Sequence, residues 1–145
     1  MLRTLLRLGL LPTVMLVAIG CGPTTRTYSV TVKNDYSEPM TVWITKNGPP
    51  METAWLPPED IAMMRSLPQG VKLKGLILLP GETGDTTATG KFNSGVSAVL
   101  RVYRGQKTLQ ELFGISQDSP NRTDIELAPG DNRFVIDRTG TTVRQ

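Results

Sequence analysis

From Tyr28 onward the chain keeps a two-residue rhythm, and this rhythm limits its fold more than any other feature. Tyr28, Val30 and Val32 alternate with Ser29, Thr31 and Lys33, and Met40, Val42 and Ile44 alternate with Thr41, Trp43 and Thr45. Val96, Ala98, Leu100 and Val102 alternate with Ser97, Val99, Arg101 and Tyr103. Alternation at this period sends successive side chains to opposite faces of an extended strand, so each run predicts a half-buried strand. Further strands are expected over 71–79, 86–92, 109–115, 123–127 and 132–137. Leu79-Pro80-Gly81-Glu82 and Ala128-Pro129-Gly130-Asp131 share one turn chemistry. Proline presets the first central dihedral of a type II turn, and glycine accepts the positive one. About eight short strands between turns predict an all-β antiparallel β-sandwich of broadly immunoglobulin-like architecture. The cysteine and tryptophan spacing of true immunoglobulin domains is missing, so the likeness is architectural.

One long stretch breaks the rhythm. Residues 48–70 hold five prolines, three methionines and Trp55. Within it, Pro58-Glu59-Asp60 followed by Ile61, Met64 and Arg65 predicts a short helix, with proline and acids in the first turn, where the helix dipole favours them. So long a connection in a small sandwich is unusual and often functional.

The start of the chain obeys a different pattern. Arg3 and Arg7 precede an uncharged run rich in Leu, Val, Ile and Met that ends at Ile19-Gly20-Cys21. A charged start, a short apolar middle and a small-residue exit form the plan of a secretory signal. An uncleaved anchor helix is the competing reading, but a span needs roughly 20 largely apolar residues. Here Gly9 and Pro12 weaken the helix, and Gly20 to Thr25 suit hydrocarbon poorly. Ala18-Ile19-Gly20-Cys21 resembles the lipobox of bacterial lipoproteins, with Ala18 where that family usually has leucine. The resemblance covers the leader and the junction only. It implies cleavage between Gly20 and Cys21, a diacylglycerol on the Cys21 thiol, and acylation of the new amino group. An ordinary signal-peptidase site with a free thiol is the alternative. Cys21, however, is the chain's single cysteine, and an odd cysteine in an exported chain calls for an explanation that lipidation supplies. Several acyl chains, at about 0.8 kcal/mol per buried methylene, would hold the domain firmly at a membrane.

These boundaries divide the chain into a signal peptide 1–20, a lipidated tether 21–26, one domain 27–138 and a flexible tail 139–145. Of the 16 lysines and arginines, Arg3 and Arg7 leave with the leader, so 14 remain against 13 acids, a net charge of +1. That balance excludes a nucleic-acid footprint. With Cys21 occupied there is no disulfide, and stability must come from packing. Histidine is absent. This removes Ser-His-Asp and Cys-His nucleophile activation and histidine-based or cysteine-based metal and haem sites. No cofactor is implied.

A few side chains invite a chemical reading. Glu59 and Asp60 could pair as acid and base, or could simply complement a helix start. Glu111 shares the phase of Leu109, Phe113 and Ile115, so a regular strand would point it inward and raise its pKa, unless a bulge near Glu111 and Leu112 turns it outward. Trp43 lies on the polar face of its strand. With Trp55 it forms either an exposed aromatic platform or a cluster covered by the 48–70 connection. Arg101, Tyr103 and Arg104 either contact lipid headgroups or lie on a solvated sheet face.

The expected function is a non-catalytic, lipid-anchored protein of the cell envelope, on an outer membrane facing the periplasm where the cell has one. Membrane lipid is its first partner, and an envelope protein or glycan its second. The 48–70 connection, with Met51, is its candidate contact surface. A carbohydrate-binding module using Trp43 and Trp55 is the alternative, and a hydrolase using carboxylates such as Glu111 is the remote one.

Overall fold

The computed structural model describes residues 22–66, 69 and 74–145. Residues 1–21, with the expected signal peptide and Cys21, and positions 71–73 of one expected strand lie outside the described residues. The elements run β1 (Thr24–Asn34), β2 (Met40–Lys46), a 3-10 turn (Thr53–Trp55), α1 (Pro58–Met63), β3 (Gly75–Leu78), β4 (Thr83–Phe92), β5 (Ala98–Arg104), α2 (Leu109–Phe113), β6 (Arg122–Glu126), β7 (Gly130–Ile136) and β8 (Thr142–Arg144).

Two four-stranded sheets, ordered β4-β1-β7-β8 and β3-β2-β5-β6, form an all-β sandwich. Its pairing is not wholly antiparallel as expected, because β1 and β7 run parallel. The alternating runs do what their period requires: Val30, Val32, Phe134 and Ile136 of the first sheet share one core with Val42, Ile44, Leu100 and Val102 of the second. Three expectations need correction. Residues 109–113 are helical, not part of a strand, because Thr108 and Glu111 form a capping box that satisfies the first turn of α2. The chain end is not a frayed tail, since β8 pairs with β7 from Ile136 opposite Thr142. The tether expected over 21–26 is also shorter, because Thr24 already pairs with Phe92.

Both proline-glycine turns have the predicted backbone, with φ of 84° at Gly81 and 92° at Gly130. Each is fastened by a buried asparagine. Asn34 Nδ2 donates to the carbonyls of Glu38 and Leu78, both at 3.0 Å, while Asn34 O accepts from Gly81 N–H at 2.6 Å. Asn132 Nδ2 donates to the carbonyls of Ala128 at 2.8 Å and Gly130 at 3.0 Å. A buried amide is tolerated when its donors and acceptors are met, and here meeting them fixes the turn.

Strand β2 is buried on both faces along its whole length. One face joins the central core. The other lies beneath α1 and α2, where Trp43, Ile61, Tyr103 and Leu112 form a second buried cluster. The outer face of the β3-β2-β5-β6 sheet is thus covered over β2 and the end of β5 at Tyr103.

Candidate functional site

Trp43 and Trp55 are both inside the molecule, at 5% and 0% exposure. The covering arrangement therefore replaces the aromatic platform, and neither indole offers a face for a sugar to stack on. Trp43 Nε1 donates to the carbonyl of Leu56 at 3.2 Å, tying the outer face of β2 to the connection that covers it.

Trp55 plugs a gap in the sandwich. Pairing of β3 with β2 reaches Gly75 opposite Trp43, and Thr45 and Lys46 run past it. The segment around the 3-10 turn fills that place. Thr45 Oγ1 donates to Trp55 O at 2.7 Å, and Trp55 Nε1 donates to Thr89 O at 3.1 Å across to β4. The ring packs edge-on to Tyr28 and Phe92, with centroids at 5.8 and 5.1 Å. Gly90 lies beneath it: a Cβ there would stand 2.9 Å from Trp55 Cε2 and 2.6 Å from Glu52 Oε2. Glycine is required at that position because the strand backbone touches the indole.

Beside Trp55, the Lys46 side chain is fully buried. Its Nζ donates to Glu52 Oε2 at 2.7 Å and to Lys91 O at 2.9 Å, and it stands 4.8 Å from the Phe92 ring centroid. The Lys91 N–H also donates to Glu52, at 3.0 Å. Burial pushes the Glu52 pKa upward, but the hydrogen bonds from Lys46 and Lys91 and the two positive charges outweigh it, holding the carboxyl below its ordinary value.

A second charged group lies over β5 and β6. Arg101 Nη1 donates to both Glu59 oxygens at 2.8 Å, and Arg122 Nη1 reaches Glu59 Oε1 at 3.2 Å. Arg122 also makes a two-pronged contact with Asp124, at 2.7 and 2.6 Å. The Asp124 hydrogen bond raises the Arg122 pKa more than burial lowers it. Of the three side chains that one reading expected at lipid headgroups, Arg104 is exposed but Arg101 and Tyr103 are not. The Arg101 side chain is 16% exposed, and Tyr103 is sealed at 0%. Burial raises the Tyr103 pKa against the opposing charge of Arg101, and the Tyr103 hydroxyl has no hydrogen-bond partner among the described residues. Glu59 does more than favour a helix start: it pins α1 onto the sheet, whereas Asp60 makes none of these contacts. Because the group is partly buried and networked, Glu59→Ala should lower the unfolding free energy by about 1–2 kcal/mol, above the range for an isolated surface pair. Asp60→Ala should cost under about 0.5 kcal/mol. Urea titration checks both, and equal midpoints for the two variants would contradict the assignment.

Glu111 faces outward, as the bulge alternative had it, but helix α2 and not a bulge turns it there. It is exposed and accepts from the Thr108 backbone N–H at 2.8 Å and the Thr108 hydroxyl at 2.9 Å. These bonds hold its pKa below the ordinary value, the opposite of what a general acid needs. Met51 is half-exposed, as a contact residue would be.

A polar cavity of ≈ 430 Å³ opens on the outer face of the β5–β6 pair, lined by Thr45, Asn47, Arg101, Gln117, Asp124 and Glu126. Arg101 and Asp124 are already committed to ion pairs. A smaller, mainly apolar cavity of ≈ 230 Å³ lies between α2 and the β2–β3 pair, floored by Trp43 and Gly75. Among the described residues there is no group of three acidic, histidine or cysteine side chains able to hold a metal ion, and no helix long and apolar enough to cross a membrane. No family model, curated protein or solved structure matches the chain.

Proposed function

We propose that this chain is a cell-envelope lipoprotein, held to a membrane by acyl chains on Cys21, whose β-sandwich is non-catalytic and binds or scaffolds another envelope component. The observation that carries this reading is the position of the single cysteine. It directly follows the uncharged apolar run that succeeds Arg3 and Arg7, and it stands three residues before the first strand begins at Thr24. The lack of histidine and the commitment of Glu52, Glu59 and Asp124 to ion pairs with lysine or arginine support a non-catalytic role. Met63 and Met64, exposed at the end of α1, are the best-placed apolar contacts for a partner protein.

Mass spectrometry of the mature N-terminus tests the anchor. A chain starting at acylated Cys21 is expected, together with release of Cys21→Ser protein from the membrane fraction. An unmodified Cys21, or membrane retention of the serine variant as complete as the parent's, would remove the reading.

A further inference from the structure

The two ends of the sandwich differ in charge. Strand β1 starts at one end, with Thr24 paired to Phe92 at the close of β4. The loops next to it are 47–51, Asn-Gly-Pro-Pro-Met, and 93–97, Asn-Ser-Gly-Val-Ser, which contain no acid or base. They are joined into one pad. Ser97 N–H donates to Asn47 Oδ1 at 2.8 Å, Asn47 N–H donates to Ser97 O at 3.1 Å, and Gly48 packs on Val96. Met51 is 45% exposed there. Bordering the pad are the exposed Lys91, the half-buried Arg26, and Glu52, whose carboxylate is paired with Lys46. Asp131 is set back opposite Ser29, about 16 Å along the strand from Thr24, while the exposed Glu126 lies across from Val99 at the same end of the other sheet. At the far end, the connections 35–39, 79–82, 105–107 and 137–141 carry Asp35, Glu38, Glu82, Asp137, Lys107 and Arg138, and the adjoining strand ends add Lys33 and Arg104, so that end is rich in charge of both signs.

From these features we infer that the uncharged pad formed by residues 47–51 and 93–97 rests on the lipid headgroup layer, with the charge-rich end turned away from the membrane. The inference rests on the anchor reading above. Three residues from Cys21 to Thr24 span at most about 10 Å, comparable to the thickness of the headgroup region itself. Such a tether leaves no room to invert the domain. Charged loops at that depth would lose hydration at a cost, whereas uncharged ones lose little. Along β1 the charge-rich end stands about 33 Å further out, beyond the roughly 8 Å over which salt lets an anionic surface act on it.

The test uses the full chain, acylated during expression, purified, and inserted into preformed vesicles of phosphatidylethanolamine and phosphatidylglycerol. Ser94→Cys on the pad and Ser37→Cys on the far, charge-rich end are each made separately. Both positions are exposed loop serines, so the variants keep the fold, and acylation leaves the new thiol the only free one. A bulky, membrane-impermeant maleimide should label Ser94→Cys about tenfold more slowly on vesicles than in detergent, a barrier difference of about 1.4 kcal/mol. Ser37→Cys should label equally fast in both. The intact mass of the same preparations reports the lipid on Cys21. If the lipid is present and the two positions label alike, or Ser37→Cys is the protected one, the orientation is wrong while the anchor stands. If the lipid is missing, both fall.

Discussion

Trp55→Ala is expected to lower the unfolding free energy by about 3–5 kcal/mol, the range for deleting a large aromatic from a packed core. The ring is fully buried against Tyr28 and Phe92, and its indole N–H and backbone carbonyl bond to β4 and β2. Its removal opens the gap beyond β3 to water, so the loss is structural as well as hydrophobic. A domain of this size has roughly 5–15 kcal/mol in total, and the variant should sit close to its unfolding threshold. Trp55→Phe, which keeps most of the ring but loses the bond to Thr89 O, should cost about half as much or less. Denaturant unfolding followed by far-ultraviolet circular dichroism reads both. A loss below about 1 kcal/mol for the alanine variant would mean that the connection is an ornament on the sandwich and not part of it.

The second large effect concerns the buried lysine. Glu52→Leu should destabilise by about 3 kcal/mol, because it strands the Lys46 ammonium where water does not reach. Lys46→Met should cost much less: the thioether chain fills the same space, and Glu52, 38% exposed, returns to solvent. The double variant should be more stable than Glu52→Leu, a coupling that a double-mutant cycle measures directly. The same pair gives a pH dependence of defined sign. The folded-state pKa of Glu52 lies below the ordinary value near 4.5. Its contribution is therefore full above that value and is lost as pH falls through the lower folded value. The parent should lose its advantage over Glu52→Leu in acid, and a difference that stays constant from neutral pH down to pH ~3 would contradict the pairing.

What the sequence discloses and what it hides divide along one physical line. Period-two alternation is local, and the strands it marks are present over 28–33 and 40–45 and over all but the first two residues of 96–103. Turn chemistry is local too, and both proline-glycine turns adopt their positive dihedrals. Short helices are decided by their caps, and Thr108-x-x-Glu111 was the visible signal for α2, outweighed by the apolar phase of Leu109, Phe113 and Ile115. Which strands sit side by side depends on tertiary packing, so the parallel β1–β7 contact has no sequence mark. Neither does the ion-pair group of Glu59, Arg101, Arg122 and Asp124, whose members lie up to 65 positions apart and meet only because β5 pairs with β6 beneath α1. Lys46 follows the run 40–45 and carries no sequence mark of its burial. Its burial follows from Glu52 and Trp55, which a reading of β2 by itself cannot supply.

The parallel pairing of β1 with β7 also sets the order in which the sheets can be completed. Tyr28 faces Gly130, 102 positions later. At synthesis rates of about 5–20 residues per second the first strand waits roughly 5–20 s for its neighbour. Contacts so far apart in sequence must overcome loop-closure entropy before they return any stability, which makes folding slow and late. The edge of β1 that faces β7 therefore stays unpaired until residues 130–136 have emerged.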